Sequence, residues 1–365
     1  MHTQRSLLMA VSMLAGLGAL FPAALAEDAA LKGTGEVIVT SGGGSWEDAQ
    51  RIAFFEPFEK ETGIKVALVA EDHAKLLASV DAGVTEADLT SINAGQLTGF
   101  KKRNAIVPTN YSFFTPETLA GIPKVLKNEY GVGANYYSIG VAYNTDRFPD
   151  DKGPKNWRDY FDIEKYPGPR GMANCDKIID GGMLEGALLG DGVEPDKLYP
   201  LDMDRAFKKI EAFKPQVKKW WAAGAEAPQG LINGELDVSS AYNGRIFAAR
   251  KQGAPLKFEW DQSLLQYDYW VTMRGSPNPE NAAKFLAFIS KPEQQAAFVK
   301  AIGYGPINDD TYKLLDPAMS PDLPGSPENI KRQILQDYDW WTSAGSDGRT
   351  NWDVGVEKCV KLLSN

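Results

Sequence analysis

From residue 36 onward, short β-branched and apolar runs alternate with longer stretches whose apolar positions recur every three or four residues. EVIVTS, Glu36–Ser41, predicts a strand; SGGG then turns the chain, and Ser45 is expected to cap a helix that opens at Trp46. Pro57 is expected to bend that helix and Gly63 to stop it. IKVALV, residues 64–69, predicts the next strand, and Asp72 the cap of a helix over HAKLLASV. A βαβα order of this kind predicts a mostly parallel sheet covered by helices on both faces.

The same order returns between residues 137 and 273. YSIGVAYN and YDYWVTMRG are its first and last expected strands, with helical runs near 184–189, 203–213 and 230–233 between them. In DVSSAYNGRIFAAR, residues 237–250, an apolar run ends at Tyr242, Asn243-Gly244 predicts a turn, and a helix-spaced run opens at Arg245. After Gly275 the pattern predicts two helices with Pro279 and Pro292 in their first turns, and Phe285, Phe288 and Ile289 on one face. No repeat, low-complexity segment or flexible linker interrupts the chain, so two lobes joined by extended strands are expected. Ligands of open α/β sheets bind beyond the carboxyl ends of the strands. Here the loops at those ends read SGGGSW, INAGQ, AYNGR and QYDYW.

The N-terminus changes the picture of where this chain works. Residues 1–26 have a basic start at Arg5, an apolar stretch from Leu7 to about Leu20, and Ala24-Leu25-Ala26 in the small-x-small pattern. They predict a signal peptide cleaved after Ala26 and an exported protein; an uncleaved anchor is the alternative, for which the apolar run is short. The formal net charge of −9 over 365 residues disfavours nucleic acid as a partner and suits solubility or a cationic ligand. Cys175 and Cys359 are the only cysteines. In an oxidising compartment they are expected to pair, two separate buried thiols being the alternative.

Enzyme chemistry has little to work with. His2 leaves with the leader, so His73 is the only remaining histidine, and it stands at an expected helix start. Neither a G-x-S-x-G elbow nor an H-E-x-x-H pair is present, and Gly42–Gly44 lacks the G-K-[ST] ending of a phosphate loop. Those glycines read as a tight turn, or as exposed N–H groups able to hold an anion. Tyr136-Tyr137 raises ferric-ion binding, because paired phenolates are hard oxygen ligands; ligand stacking or hinge packing is the preferred reading. Tyr242 and Tyr304, both next to turn residues, are placed at a cleft rather than in a core. Asp268 stands in the apolar strand LLQYDYWVTM, and Arg245 stands alone at a strand end. A buried unpaired charge is costly, so these two either pair with each other or each awaits the opposite charge on a ligand.

FEKETGIKV, IGVAYNTDRF, NWRDYFDIEKYPGPRG, LINGELDVSSAYNGR and KAIGYGPIN resemble, in collinear order over nearly all of the mature chain, the periplasmic solute-binding proteins of ABC importers, in the spermidine/putrescine-binding family. The resemblance implies a two-lobed, type II periplasmic binding fold, each lobe a mostly parallel sheet flanked by helices. It implies lobe I at 27–137 and 272–306 and lobe II at 138–271 and 307–365. The solute is expected in the cleft, no cofactor or metal is expected, and the partners are permease subunits in the inner membrane, with the receptor a monomer. In this family a carboxylate on the last crossing strand receives an ammonium, and that position is Asp268. Tyr242 matches the aromatic before Asn-Gly, Tyr304 the tyrosine of the IGY turn, and Trp46 and Asn93 fall in the first lobe's contact loops, with Tyr137 at the crossing. The departure is Arg245, where polyamine binders carry a small neutral residue; glycines stand close to the position of their second acid, with Asp176 and Asp180 nearby as the alternatives for it, and Trp340 is left open. A guanidinium facing a carboxylate suits an ω-amino acid such as 4-aminobutyrate better than a diamine.

Overall fold

A computed structural model of the chain describes residues 30–149 and 151–364, and the expected signal segment lies outside them. Among the described residues twelve strands form one sheet, whose eight-strand path carries the architecture. These strands are β1 (Glu36–Ser41), β2 (Lys65–Ala70), β3 (Leu89–Asn93), β4 (Gly131–Asn144), β5 (Arg170–Ala173), β6 (Val217–Trp221), β7 (Val238–Tyr242) and β8 (Leu264–Met273). Their lateral order is β2-β1-β3-β8-β4-β7-β5-β6. β1 runs parallel to β2 and β3, and β5 parallel to β6 and β7. Between these parallel halves the long strands β8 and β4 lie antiparallel to each other and to their outer neighbours. The two mostly parallel halves thus share one continuous sheet, joined by the crossing strands.

Each half has its own apolar core. Phe54, Phe58, Phe285 and Phe288 fill the first, with Trp270 on β8; Trp157, Leu184, Leu188 and Trp341 lie in one cluster of the second half, and Trp221, Leu231 and Ile246 in another. The tail from residue 307, expected on the second lobe, packs against both. Leu315 and Leu323 join Ala296 and Val299 beside the first core, and Tyr338 lies within that core. Cys359 and Leu362 belong to the second. Cys175 and Cys359 form a disulfide with Cα atoms 5.8 Å apart. It closes a loop across a separation of 184 residues, for which chain entropy gives about 5 kcal/mol at most.

Two local expectations need correction. The first helix begins at Gly44 with Gly43 as its cap and no side-chain cap bond, because the glycines adopt φ of +72° and +59° and start the helix before Ser45. Pro57 does bend the chain, through a π-helical segment at Arg51–Phe55 ahead of the helix Glu56–Thr62. The proline ring excludes regular α-helical packing against the preceding turn, and the wider turn accommodates it. Asn243-Gly244 makes no separate turn between strand and helix: Tyr242 stays extended and the helix Asn243–Lys251 opens directly behind it. The Asn243 side-chain oxygen instead accepts the Ser138 N–H at 2.8 Å, continuing the β4–β7 ladder where the β7 backbone has turned into helix. Asp72 caps its helix as expected, accepting from the Lys75 N–H.

Candidate functional site

The carboxyl ends of the strands from both halves converge on a cavity of ≈ 410 Å³. Gly42, Gly43 and Trp46 follow β1, Glu71 follows β2, Ser91 lies on β3, Asp268 on β8, and Asn135 and Tyr137 on β4. Across from them stand Gly224 after β6, Tyr242 at the end of β7, and Gly244, Arg245 and Ala248 in the following helix. Tyr304, beyond the helix Pro292–Ile302, completes the lining with Ile302.

Tertiary register aims the key acid. Asp268 is paired with Asn93 on one side and Asn135 on the other, and the β4 register slips there because Tyr269 pairs with Gly133, leaving Ala134 as the extra residue. Such bulges redirect side chains beside functional sites. Burial of its carboxylate, reinforced by nearby Glu71 and Asp180 and opposed by a hydrogen bond from Tyr137, pushes Asp268 up to about 8. Asn93 sits behind this pair. Its side-chain oxygen accepts the Gly95 N–H, which orients the amide so that Nδ2 donates to the Tyr137 hydroxyl oxygen at 2.7 Å and to that of Tyr338 at 3.0 Å. With its oxygen engaged, the Tyr137 hydroxyl has its proton to give to Asp268.

Arg245 stands at the exposed rim on the opposite wall. Among the described residues neither Arg245 nor Asp268 appears in any ion pair, so the alternative in which they neutralise each other is not what the fold builds. Aromatic rings bridge the space between them. Tyr304 packs edge-on against Trp46 (centroids 5.6 Å) and Tyr137 (6.3 Å), and Tyr137 lies 5.9 Å from Tyr242. The arrangement offers an anion site, an aromatic sleeve and a cation site in sequence.

Of the residues expected at the site, Trp46, Tyr137, Tyr242, Arg245, Asp268 and Tyr304 line this cavity, whereas Asn93 supports it from behind. Asp180 is buried and pushed up to about 7 by burial; its charge is felt by Tyr137, Tyr242 and Tyr338, yet it does not line the cavity. Asp176 pairs with Lys177 at 2.9 Å, and Trp340 packs on Tyr199 and Trp341. Tyr136 and Tyr137 point to opposite faces of β4, as successive strand residues must: Tyr136 is buried beside Tyr267 while Tyr137 faces the cavity, so the pair does not converge on one ferric ion. Glu71, Ser91 and Asn135 were not anticipated. Glu71 directly follows an apolar strand, the same signal that marks Arg245, and Asn135 falls in a stretch of β4 that begins six residues before the expected strand.

Two strand-end walls enclosing a polar, aromatic-lined cavity define a two-lobed solute receptor. The chain belongs to the bacterial extracellular solute-binding proteins, whose family model matches residues 53–325. It is 34% identical over 324 residues to the gamma-aminobutyric acid-binding protein of Pseudomonas aeruginosa, covering 85% of this chain and 87% of that protein. A spermidine/putrescine-binding periplasmic protein of Escherichia coli is 23% identical over 83% of this chain and 86% of its own. The crystal structure of an ABC transporter substrate-binding protein from Bradyrhizobium japonicum superposes with a TM-score of 0.82 at 33% identity, covering 90% of this chain and 99% of that one.

Proposed function

We propose that the protein is the periplasmic receptor of an ABC importer for a small ω-amino acid of the 4-aminobutyrate type. The observation that carries this reading is the pair Arg245 and Asp268, unpaired with each other and set on opposite walls of one cavity. Arg245 forms two parallel hydrogen bonds to the ligand carboxylate, Asp268 accepts from the ammonium, and the methylene chain lies along Trp46, Tyr242 and Tyr304. A diamine leaves Arg245 facing a second cation, which selects against it. The relative named for gamma-aminobutyric acid is closer in sequence than the one named for polyamines, and supports the same choice. No helix of the described residues is long and apolar enough to cross a membrane, and delivery of the solute falls to a permease that recognises the closed receptor as a monomer.

Titration calorimetry with 4-aminobutyrate and putrescine tests this directly. We expect binding of 4-aminobutyrate, and a loss of about 2–5 kcal/mol in Arg245→Ala and in Asp268→Ala, each of which strands a ligand charge. Tight putrescine binding with no response to 4-aminobutyrate contradicts the ligand class and leaves the receptor fold untouched.

A further inference from the structure

The wall that faces Arg245 carries more acceptors than one ammonium uses. Glu71 lines the cavity with Asp268, and its side chain is 29% exposed. Among the described residues its Oε2 receives only the Ser91 hydroxyl, at a long 3.4 Å. His73 Nε2 lies 3.9 Å from Oε1 but is spent on the Ser91 carbonyl at 3.0 Å. The other ring nitrogen meets Gln96 Nε2 at 3.3 Å, and that amide is oriented by the Asn93 N–H on its oxygen. Glu71 therefore lacks a close cationic partner among the described residues. A separate observation lies on the far side of Asp268: Asn135 lines the cavity at 1% exposure, and its Oδ1 has no hydrogen-bond partner among the described residues.

These acceptors come from different parts of the sheet: Glu71 follows β2, two strands away from β3. Glu71 reaches over β3 at Ser91, Asp268 is on β8 and Asn135 on β4. An ammonium presents its three N–H donors from a single nitrogen. A guanidinium has five N–H donors in a planar fork and reaches carboxylates along two of its edges.

Resting on the dipolar-ligand reading above, we propose that the receptor is shaped for an ω-guanidino acid, such as 4-guanidinobutyrate, and binds it at least as tightly as the corresponding ω-amino acid. The ligand guanidinium bridges Asp268 and Glu71, with one N–H on Asn135 Oδ1, while its carboxylate meets Arg245. The cavity of ≈ 410 Å³ accommodates the larger head group.

Calorimetry on the mature protein with 4-guanidinobutyrate and 4-aminobutyrate tests this, in wild type and in Glu71→Gln. We expect the guanidino acid to bind wild type with equal or higher affinity. In the variant, the ratio of its association constant to that of the amino acid falls at least about tenfold, the worth of one charge-assisted hydrogen bond. Binding of 4-aminobutyrate with no binding of 4-guanidinobutyrate overturns this proposal and spares the reading it rests on; a wild-type measurement suffices for that, whether or not the variant folds. An unchanged ratio in a folded variant also overturns it. Silence toward both ligands overturns the dipolar reading itself.

Discussion

Asp268 lies on a strand of almost wholly apolar neighbours, half-buried, with its carboxylate facing the cavity and receiving the Tyr137 hydroxyl. Raised to about 8, it holds a proton near neutrality in the empty receptor, and an arriving ammonium selects the ionised form. Association therefore releases a proton. Affinity is expected to rise with pH by up to about tenfold per unit until roughly pH 8, then level while the ligand amine stays charged. Calorimetry in buffers of different ionisation enthalpy reads the released proton directly, and Asp268→Asn removes it. The same shift runs against folding of the empty protein: the native state keeps a proton that the unfolded chain has lost, so this group's contribution to stability declines as pH rises from about 4 to about 8. Arg245 and Asp268 were legible in the sequence because a lone charge at a strand end or in an apolar strand demands a partner. Glu71 was not, since the acid beside it, Asp72, accounted for the helix cap.

At the scale of elements, the strand-to-helix junction at Tyr242 fixes the position of Arg245. The chain pattern located this junction, while its geometry depended on a long-range contact: the Ser138 N–H bound by Asn243, across 105 residues, which no local propensity encodes. Gly244 is the next constraint. A Cβ there would lie 2.7 Å from Cε1 of Tyr304, a ring already held by Trp46 and Tyr137. Gly244→Ala is expected to cost about 1–3 kcal/mol of ligand affinity through this overpacking. Alanine is the better helix former, so the helix itself gains rather than loses. Calorimetry beside a thermal melt checks the prediction; full affinity in the variant contradicts the contact between Tyr304 and this helix. Asn93 shows the limit of the sequence reading at this scale. Its loop lies beside the cavity, but only the fold shows its amide turned toward Tyr137 and Tyr338.

Over the whole molecule, the alternation of strands and helices made the two-lobed α/β architecture readable, and collinear motifs pointed to the family. The route of the tail was less accessible, because its apolar residues are divided between two cores and only the Cys175–Cys359 bridge marks one of its ends. Tyr338 ties that tail to the site through Asn93, so the chain segments that span both halves also support the residues proposed to hold the ligand. On the proposed reading a single dipolar solute lies between the Arg245 guanidinium on one wall and, once ionised by binding, the Asp268 carboxylate on the other. A crystal structure of the receptor with 4-aminobutyrate tests it most directly. The account predicts the ligand carboxylate within about 3 Å of the Arg245 guanidinium and the ammonium at the same distance from Asp268. A ligand bound in the reverse sense, or touching only one wall, contradicts it.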